Sequence, residues 1–126
     1  GLDRLALELG DLVVVELATQ LLVPAPAQGA LAVQTRAGDG ELRARLAALL
    51  HDPDAAESVA AERSLLAALG GGCNLPLGAL LTRARDGVRL DVFLGADHPR
   101  AGAPARWIHV RAEDPARAVA AARQRL

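Results

Sequence analysis

R-S-L-L-A-A-L-G-G-G-C-N-L-P-L-G, residues 63–78, is the stretch around which the rest of the chain is organised. A helical pattern leads into three glycines, and an apolar run typical of a strand follows Pro76. The stretch contains Cys73, the only cysteine among 126 residues. A single thiol at a corner between helix and strand is either a small buried hydrophobic group or a nucleophile held in a loop.

The three glycines before the thiol allow two interpretations. A helix that ends in a left-handed turn explains Gly70 by itself. Three glycines in a row also leave space on one side of the thiol, with Asn74 and Pro76 on its other side. The loop is not a Walker A loop, because it has no lysine, and it does not open a helix as a G-x-G-x-x-G loop does.

Strands are predicted downstream of this loop and helices on both sides of it. Alternating apolar residues indicate strands at 77–85, 88–96 and 105–112, with Asp86-Gly87 as a favoured hairpin turn. Helices are predicted at 40–50, 53–69 and 115–126. Their apolar faces are expected to contain Leu42, Leu46, Leu49 and Leu50; Val59, Glu62, Leu66 and Leu69; and Ala118, Val119, Ala122 and Leu126.

The order α-α-β-β-β-α predicts an α+β fold, in which a small antiparallel three-stranded sheet has helices on one face. The last two helices have clear starts, because Asp52 and Asp114 are good N-caps and a proline follows each at N1. Upstream, residues 11–17 and 31–35 are predicted as short strands, joined by an extended, proline-rich hinge. This segment does not complete a domain of its own.

Composition excludes several classes of protein. The chain is 52% hydrophobic and 23% charged, as in globular proteins. Its net charge of −1, with one Phe and one Trp, argues against a nucleic-acid partner. No apolar run is long enough to cross a bilayer and no secretory signal is visible, so we expect no membrane partner and a cytoplasmic setting. The absence of methionine indicates a piece of a longer protein, or a processed one.

Metal binding is not expected from the side chains available. His51, His98 and His109 have no metal-ligand spacing, and one cysteine cannot build a cysteine-based zinc site. Arg63, one position after Glu62, is either a surface arginine in an ion pair or an anion clamp beside the thiol.

Four blocks of sequence resemble the motifs of one family. They are G-L-D-R-L-A-L at 1–7, P-A-P-A-Q-G-A-L-A-V-Q-T-R at 24–36, A-E-R-S at 61–64 and L-G-G-G-C-N-L-P-L-G at 69–78. In order, they resemble A-G-L-x-R-L, P-A-x-G-Q-G-x-x-x-I-E-x-R, A-E-R-A and L-x-G-G-C-x-x-P-I-G of the hydroxymethylbilane synthase (porphobilinogen deaminase) family. The resemblance covers nearly all of this chain, but only the C-terminal portion of the family's chain.

The resemblance implies a transferase of tetrapyrrole (haem, chlorophyll and cobalamin) biosynthesis. Its members join four porphobilinogen molecules into linear hydroxymethylbilane and release ammonia at each step. A dipyrromethane cofactor is attached by a thioether to the cysteine that corresponds to Cys73, and it carries the growing oligopyrrole chain. Arginines that correspond to Arg63 and Arg4 bind acetate and propionate groups.

The chemistry of the side chains agrees with these roles. Loss of ammonia from porphobilinogen leaves an electrophilic methylene carbon, and a thiolate is a suitable soft nucleophile for it. Each pyrrole carries two carboxylates, which the planar guanidinium of arginine binds in a bidentate way.

The resemblance also implies domain limits and a missing part. Residues 1–45 would be the remnant of the middle domain with the segment that returns to the first domain, and residues 46–126 the C-terminal cofactor-attachment domain. The family's catalytic aspartate lies in the N-terminal domains, so no catalytic residue is expected here and the fragment alone is expected to be inactive. The missing domains would be its partners. Residues 31–35, without sheet neighbours, are expected to invite self-association.

Three departures from the motifs are visible: Ala27 where the family usually has glycine, Gln34 where it usually has glutamate, and Gly70 where it often has an acidic or polar residue. Two other hypotheses remain. A non-enzymatic binding or assembly module that reuses this domain would be favoured by a reading frame that starts near Gly1. A thiol-dependent enzyme unrelated to tetrapyrroles would be favoured by ordinary reactivity of Cys73.

Overall fold

A computed structural model describes residues 5–6, 8–72, 74–96 and 104–126 of the chain. Within these ranges the elements are α1 (Gly40–Leu50), α2 (Pro53–Ala68), β1 (Leu77–Ala84), β2 (Gly87–Leu94), β3 (Arg106–Ala112) and α3 (Pro115–Arg125). The order α-α-β-β-β-α is the predicted one. The α+β fold class is therefore confirmed, and each helix and strand from residue 40 onward lies within two residues of its predicted limits.

The sheet is an antiparallel meander with the strand order β1-β2-β3. Its first hairpin differs from the prediction by one residue, because Ala84 pairs with Gly87 and the turn is formed by residues 85–86 instead of Asp86-Gly87. This register pairs Leu81 with Leu90 and Leu77 with Leu94. A turn one residue later would pair Leu77 with Ala96, which buries less apolar surface.

The core lies between one face of the sheet and the helices α2 and α3. Strand alternation sends every second side chain to this face, as expected for a sheet covered on one side. The buried core side chains are Ala61, Leu65, Leu77, Ala79, Leu81, Val88, Leu90, Val92, Ile108, Val110, Ala118, Val119 and Ala122.

Helix α2 is rotated relative to the prediction. Its buried residues are Ala61, Glu62 and Leu65, whereas Leu66 and Leu69 are only partly buried at the margin of the core. The predicted face is therefore wrong by about one position. Successive helical residues point about 100° apart, so with Leu65 fully buried in the core Leu66 lies at its margin, near Gly71. For α3 the predicted face is confirmed, since Ala118, Val119 and Ala122 are buried.

The two upstream strand predictions are wrong, because residues 12–18 and 30–36 adopt no strand. A strand needs a hydrogen-bonded neighbour, and none pairs with them in the part of the chain that the structure describes. Their apolar side chains are consequently exposed, with Val13 at 88% and Leu31 at 86%. Helix α1 also buries no residue, so its predicted apolar face packs on no core here.

One upstream segment, residues 23–29, packs against β1 of the sheet. We call it the strap. The Ala79 N–H of β1 donates to the Pro24 carbonyl oxygen at 2.9 Å, and the Val23 side chain is buried against Gly78. A Cβ at position 78 would lie 2.6 Å from the Val23 carbonyl oxygen, so only glycine permits this approach. The strap therefore covers the outer edge of β1.

Candidate functional site: the loop after α2 and the groove beside it

Helix α2 ends in a Schellman motif that explains two of the three glycines. The Gly71 N–H donates to the Leu66 carbonyl oxygen at 3.1 Å, and the Gly70 N–H to the Ala67 carbonyl oxygen at 3.0 Å. Gly70 has φ +66°, the left-handed conformation this motif requires. A Cβ on Gly71 would lie 2.5 Å from Leu75 Cδ2, so close packing also demands glycine there.

Gly72 has no such structural reason. A Cβ at this position would meet no atom within 4 Å among the described residues. The residue is exposed, as is Asn74, and the Leu75 N–H donates to the Gly72 carbonyl oxygen at 3.1 Å to close a turn. Both interpretations of the glycines therefore hold in part: two of them end the helix, and the third leaves open space in the loop.

Two of the predicted site residues, Cys73 and Arg4, lie outside the described residues. His98 lies outside them as well. Their predicted roles are not tested by the geometry. The described flanks of Cys73 are the exposed residues Gly72 and Asn74.

Arg63, the third predicted site residue, is exposed on α2. Its guanidinium makes no ion pair within 4 Å with any residue that the structure describes. The surface ion pair that the sequence allowed is therefore not formed within that part of the chain. The side chain is available to an anion from outside.

Arg63 lines a groove of about 760 Å³ that lies between residues 27–35, helix α1 and helix α2. Arg43 and His51 contribute further basic groups to the lining, and Asp52 a carboxylate. Much of the remaining wall is apolar, including Leu31, Val33, Leu46, Leu50 and Val59. Such a wall with a few basic groups suits a flat, apolar ligand that carries carboxylates.

Glu62 stands next to Arg63 in sequence but faces the interior, where it is 5% exposed. Its Oε1 accepts a hydrogen bond from the Leu81 N–H at 2.8 Å, and its Oε2 from the Ala27 N–H at 2.7 Å. The sequence predicted that Glu62 lies on the packed face of α2. It gave no signal for these partners, because both bonds go to backbone groups.

The uncovered face of the sheet carries a second buried carboxylate that sequence analysis missed. Asp91 is 2% exposed, its Oδ1 accepts a hydrogen bond from Arg89 Nε at 2.8 Å, and its Oδ2 forms an ion pair with Arg89 Nη2 at 2.8 Å. His109 Nδ1 lies 2.7 Å from Asp91 Oδ1 on the neighbouring strand. The available signal was a charged residue at a central position of β2, which the structure pairs directly with His109 of β3.

Among the described residues, no group of three or more histidine, cysteine, aspartate or glutamate side chains is placed to hold a metal ion. No helix in that part of the chain has the length and apolar character needed to cross a bilayer.

Comparison with known proteins points to one family. The family described as porphobilinogen deaminase, C-terminal domain, matches residues 56–101, which contain most of α2, the loop after it, β1 and β2. A porphobilinogen deaminase of Roseiflexus castenholzii is 44% identical over 96 residues, which are 76% of this chain and 31% of that protein. That of Mycobacterium avium is 55% identical over 80 residues, 64% of this chain and 24% of that protein.

A third relative, the porphobilinogen deaminase of Sphingopyxis alaskensis, is 46% identical over 103 residues, 78% of this chain and 31% of that protein. The chain thus spans about a third or less of the length of these relatives. The region of the family match includes Arg63 and the loop after α2, but not residues 27–35 or α1, which also line the groove. By these comparisons the chain is similar to the C-terminal portion of porphobilinogen deaminases.

Proposed function

We propose that this chain is the C-terminal part of a hydroxymethylbilane synthase, a transferase that joins four porphobilinogen molecules and releases ammonia. The observation that carries the proposal is the family match over residues 56–101, together with relatives that are named porphobilinogen deaminase. The match includes the whole G-G-C loop and the helix that presents Arg63.

Within this function, Cys73 is the attachment point of a dipyrromethane cofactor. The described flanks of the thiol fit a bulky group, because Gly72 has open space beside it and Asn74 is exposed. The Schellman motif at Gly70 and Gly71 fixes the end of the helix, so the loop begins from a defined position. A dipyrromethane held through a thioether supplies the anchor from which an oligopyrrole chain grows, and the role of Cys73 is to hold it.

Arg63 is the carboxylate-binding group of the described part of the site, and Arg4 is proposed as a second one. The exposure of the Arg63 guanidinium and its lack of an ion pair with described residues support this role. Arg43 and His51 line the same groove and add positive or hydrogen-bonding groups. A ligand whose pyrroles each carry two carboxylates needs several such groups.

We also propose that the 126-residue chain is inactive by itself. It spans about 31% of the Roseiflexus castenholzii relative, and the family resemblance assigns proton transfer to an aspartate of the N-terminal domains. Porphobilinogen and the N-terminal domains are accordingly its proposed partners. Turnover of porphobilinogen by the purified 126-residue chain would contradict this part of the proposal.

The experiment that tests the cofactor site uses the complete gene product that contains these residues. Intact mass spectrometry of the denatured protein should show a dipyrromethane increment in the wild type and none in Cys73→Ala. Cys73→Ser should lose the thioether too, because a hydroxyl is a far weaker nucleophile than a thiolate. Both variants should release no ammonia from porphobilinogen.

Ser64→Ala serves as the control for these variants. Ser64 donates a hydrogen bond to the Ala61 carbonyl oxygen on the same helix, so the change tests small perturbations of α2 without touching the loop. This variant should retain both the mass increment and the turnover. A dipyrromethane increment that survives in Cys73→Ala would move the attachment point elsewhere and refute the assignment.

A further inference from the structure

The buried carboxylate of Glu62 connects three parts of the fold. It lies on α2, and it binds the Leu81 N–H of β1 and the Ala27 N–H of the strap. A carboxylate in this position is expensive to bury unless its oxygens accept hydrogen bonds, and two backbone donors meet that requirement. No cation among the described residues pairs with Glu62. The two hydrogen bonds are therefore its main compensation.

The hydrogen bond from the Ala27 N–H to Glu62 matters because few other contacts fix the position of this turn of the strap relative to α2. Ala27 has φ +64°, a conformation that alanine disfavours. The Gln28 N–H donates to the Ala25 carbonyl oxygen and the Ala30 N–H to the Ala27 carbonyl oxygen, so these bonds remain inside the turn. Within the described residues, the Glu62 bond is the one side-chain hydrogen bond that joins this turn to α2.

The turn held in this way is also a wall of the groove. Ala27 and Gly29 line the groove together with Arg63, which follows Glu62 on the helix. Successive residues of a helix point about 100° apart, so Glu62 faces the strap and β1 while Arg63 faces the groove. A shift of the turn would alter the shape of the space in front of the guanidinium.

We propose that Glu62 is a positioning residue that fixes the strap relative to α2 and thereby sets how ligand carboxylates meet Arg63. This inference rests on the proposed function for its consequence in catalysis, but not for the positioning itself. The two parts are tested by different measurements.

The positioning is tested by amide hydrogen exchange on Glu62→Gln in the complete gene product. A glutamine offers one acceptor oxygen and one NH2 donor, so it cannot accept both N–H bonds. Whichever of the Ala27 and Leu81 amides then faces the glutamine NH2 should exchange about 10-fold to 100-fold faster, which is the usual effect of losing a hydrogen bond to a charged group. The amides of Leu90 and Val92 in the centre of the sheet should keep their protection.

Glu57→Gln is the matched control, because Glu57 lies on the same helix but is exposed and pairs with Arg83. It should leave exchange at Ala27 unchanged. Unchanged exchange at both Ala27 and Leu81 in Glu62→Gln, with the fold intact, would overturn the positioning role.

The consequence is tested by initial rates with porphobilinogen. Glu62→Gln should raise KM several-fold with a smaller effect on kcat, whereas a mere loss of folded enzyme would lower kcat and leave KM unchanged. Arg63→Lys should also raise KM. In the double variant the two effects should be less than multiplicative, because both act on the same contact.

If the effects of Glu62→Gln and Arg63→Lys on KM multiply fully in the double variant, Glu62 does not act through Arg63. An absence of porphobilinogen turnover in the wild-type gene product would refute the proposed function instead. In that case the exchange measurement still decides whether Glu62 positions the strap.

Discussion

At the scale of single residues, Ala27 shows how a departure from a motif becomes a measurable strain. The related motif has glycine at this position, and the structure places Ala27 at φ +64°. A left-handed conformation costs an L-residue about 1–2 kcal/mol, which glycine avoids. The Ala27 N–H nevertheless makes its 2.7 Å hydrogen bond to Glu62. The tertiary contact therefore holds a residue in a conformation that its own backbone resists.

We predict that Ala27→Gly stabilises the chain. The relief of strain exceeds the extra conformational entropy of glycine in the unfolded state, so the free energy of unfolding should rise by about 0.5–1 kcal/mol. Urea denaturation followed by circular dichroism measures it.

Ala30→Gly is the control for this prediction. Ala30 is exposed in the same segment and has no positive φ, so glycine there should only add entropy to the unfolded chain. It should lower the free energy of unfolding by up to about 1 kcal/mol. Equal effects of the two substitutions would show that the left-handed conformation at Ala27 is not what matters.

At the scale of elements, the three helices begin alike but contribute differently. Asp114 Oδ1 accepts a hydrogen bond from the Arg117 N–H at 2.8 Å at the start of α3, and Asp39 Oδ1 from the Leu42 N–H at 3.4 Å at the start of α1. Helix α3 buries Ala118, Val119 and Ala122, whereas α1 buries no residue. A cap stabilises the whole fold only when its helix packs on the core.

We predict that Asp114→Ala lowers the free energy of unfolding by about 1 kcal/mol, the usual loss for an N-cap. Asp39→Ala should change it by less than about 0.5 kcal/mol, because α1 can fray without exposing the core. Thermal denaturation of both variants measures the difference. A larger loss for Asp39→Ala would mean that α1 is part of the cooperative unit.

The elements from residue 40 onward could be predicted because their signals are local. Asp-Pro helix starts, the glycine that ends α2 and alternation in the strands depend on neighbours in sequence. The strands predicted upstream depend on a partner strand, and a pattern of β-branched residues cannot supply one. The rotation of α2 was missed for a related reason, since Leu65 is buried against strand residues that lie far from it in sequence.

The motifs predicted several residues of the site, but they did not predict the hydrogen bonds and packing that join these residues to the rest of the fold. The A-E-R-S and G-G-G-C blocks indicated Arg63 and Cys73 as residues to examine. The two bonds of Glu62 and the burial of Asp91 arise from the packing of segments that lie far apart in sequence. Strand register alone would have placed His109 beside Asp91, because the two are directly paired.

At the scale of the whole molecule, the described surface divides into two regions. The layer of α2, α3 and the sheet buries its apolar side chains in one core. Residues 12–22 and 31–33 instead expose many apolar side chains, among them Val13, Val15 and Leu31. Apolar surface of this extent on a globular chain is typical of an interface.

We predict that the 126-residue chain self-associates through this apolar region. Its sedimentation coefficient should rise with protein concentration, because association removes the exposed valine and leucine side chains from water. Val13→Glu combined with Val15→Glu should abolish most of this rise. Ala120→Glu, at an exposed position of α3, should leave it unchanged. If Ala120→Glu reduces the rise in sedimentation coefficient as much as the Val13 and Val15 substitutions do, the association depends on net charge and not on the apolar region.

The strap and Glu62 occupy the outer edge of β1, and this limits the addition of further strands to the sheet. The Ala79 N–H is taken by the Pro24 carbonyl oxygen and the Leu81 N–H by Glu62, so a foreign strand finds no free donor at the centre of this edge. Within the described residues no backbone segment pairs with the outer edge of β3, where Arg125 Nη1 donates to the His109 carbonyl oxygen at 3.3 Å. Two copies joined through β3 would present only their blocked β1 edges outward. Strand addition would stop at a closed pair and could not propagate into a fibril.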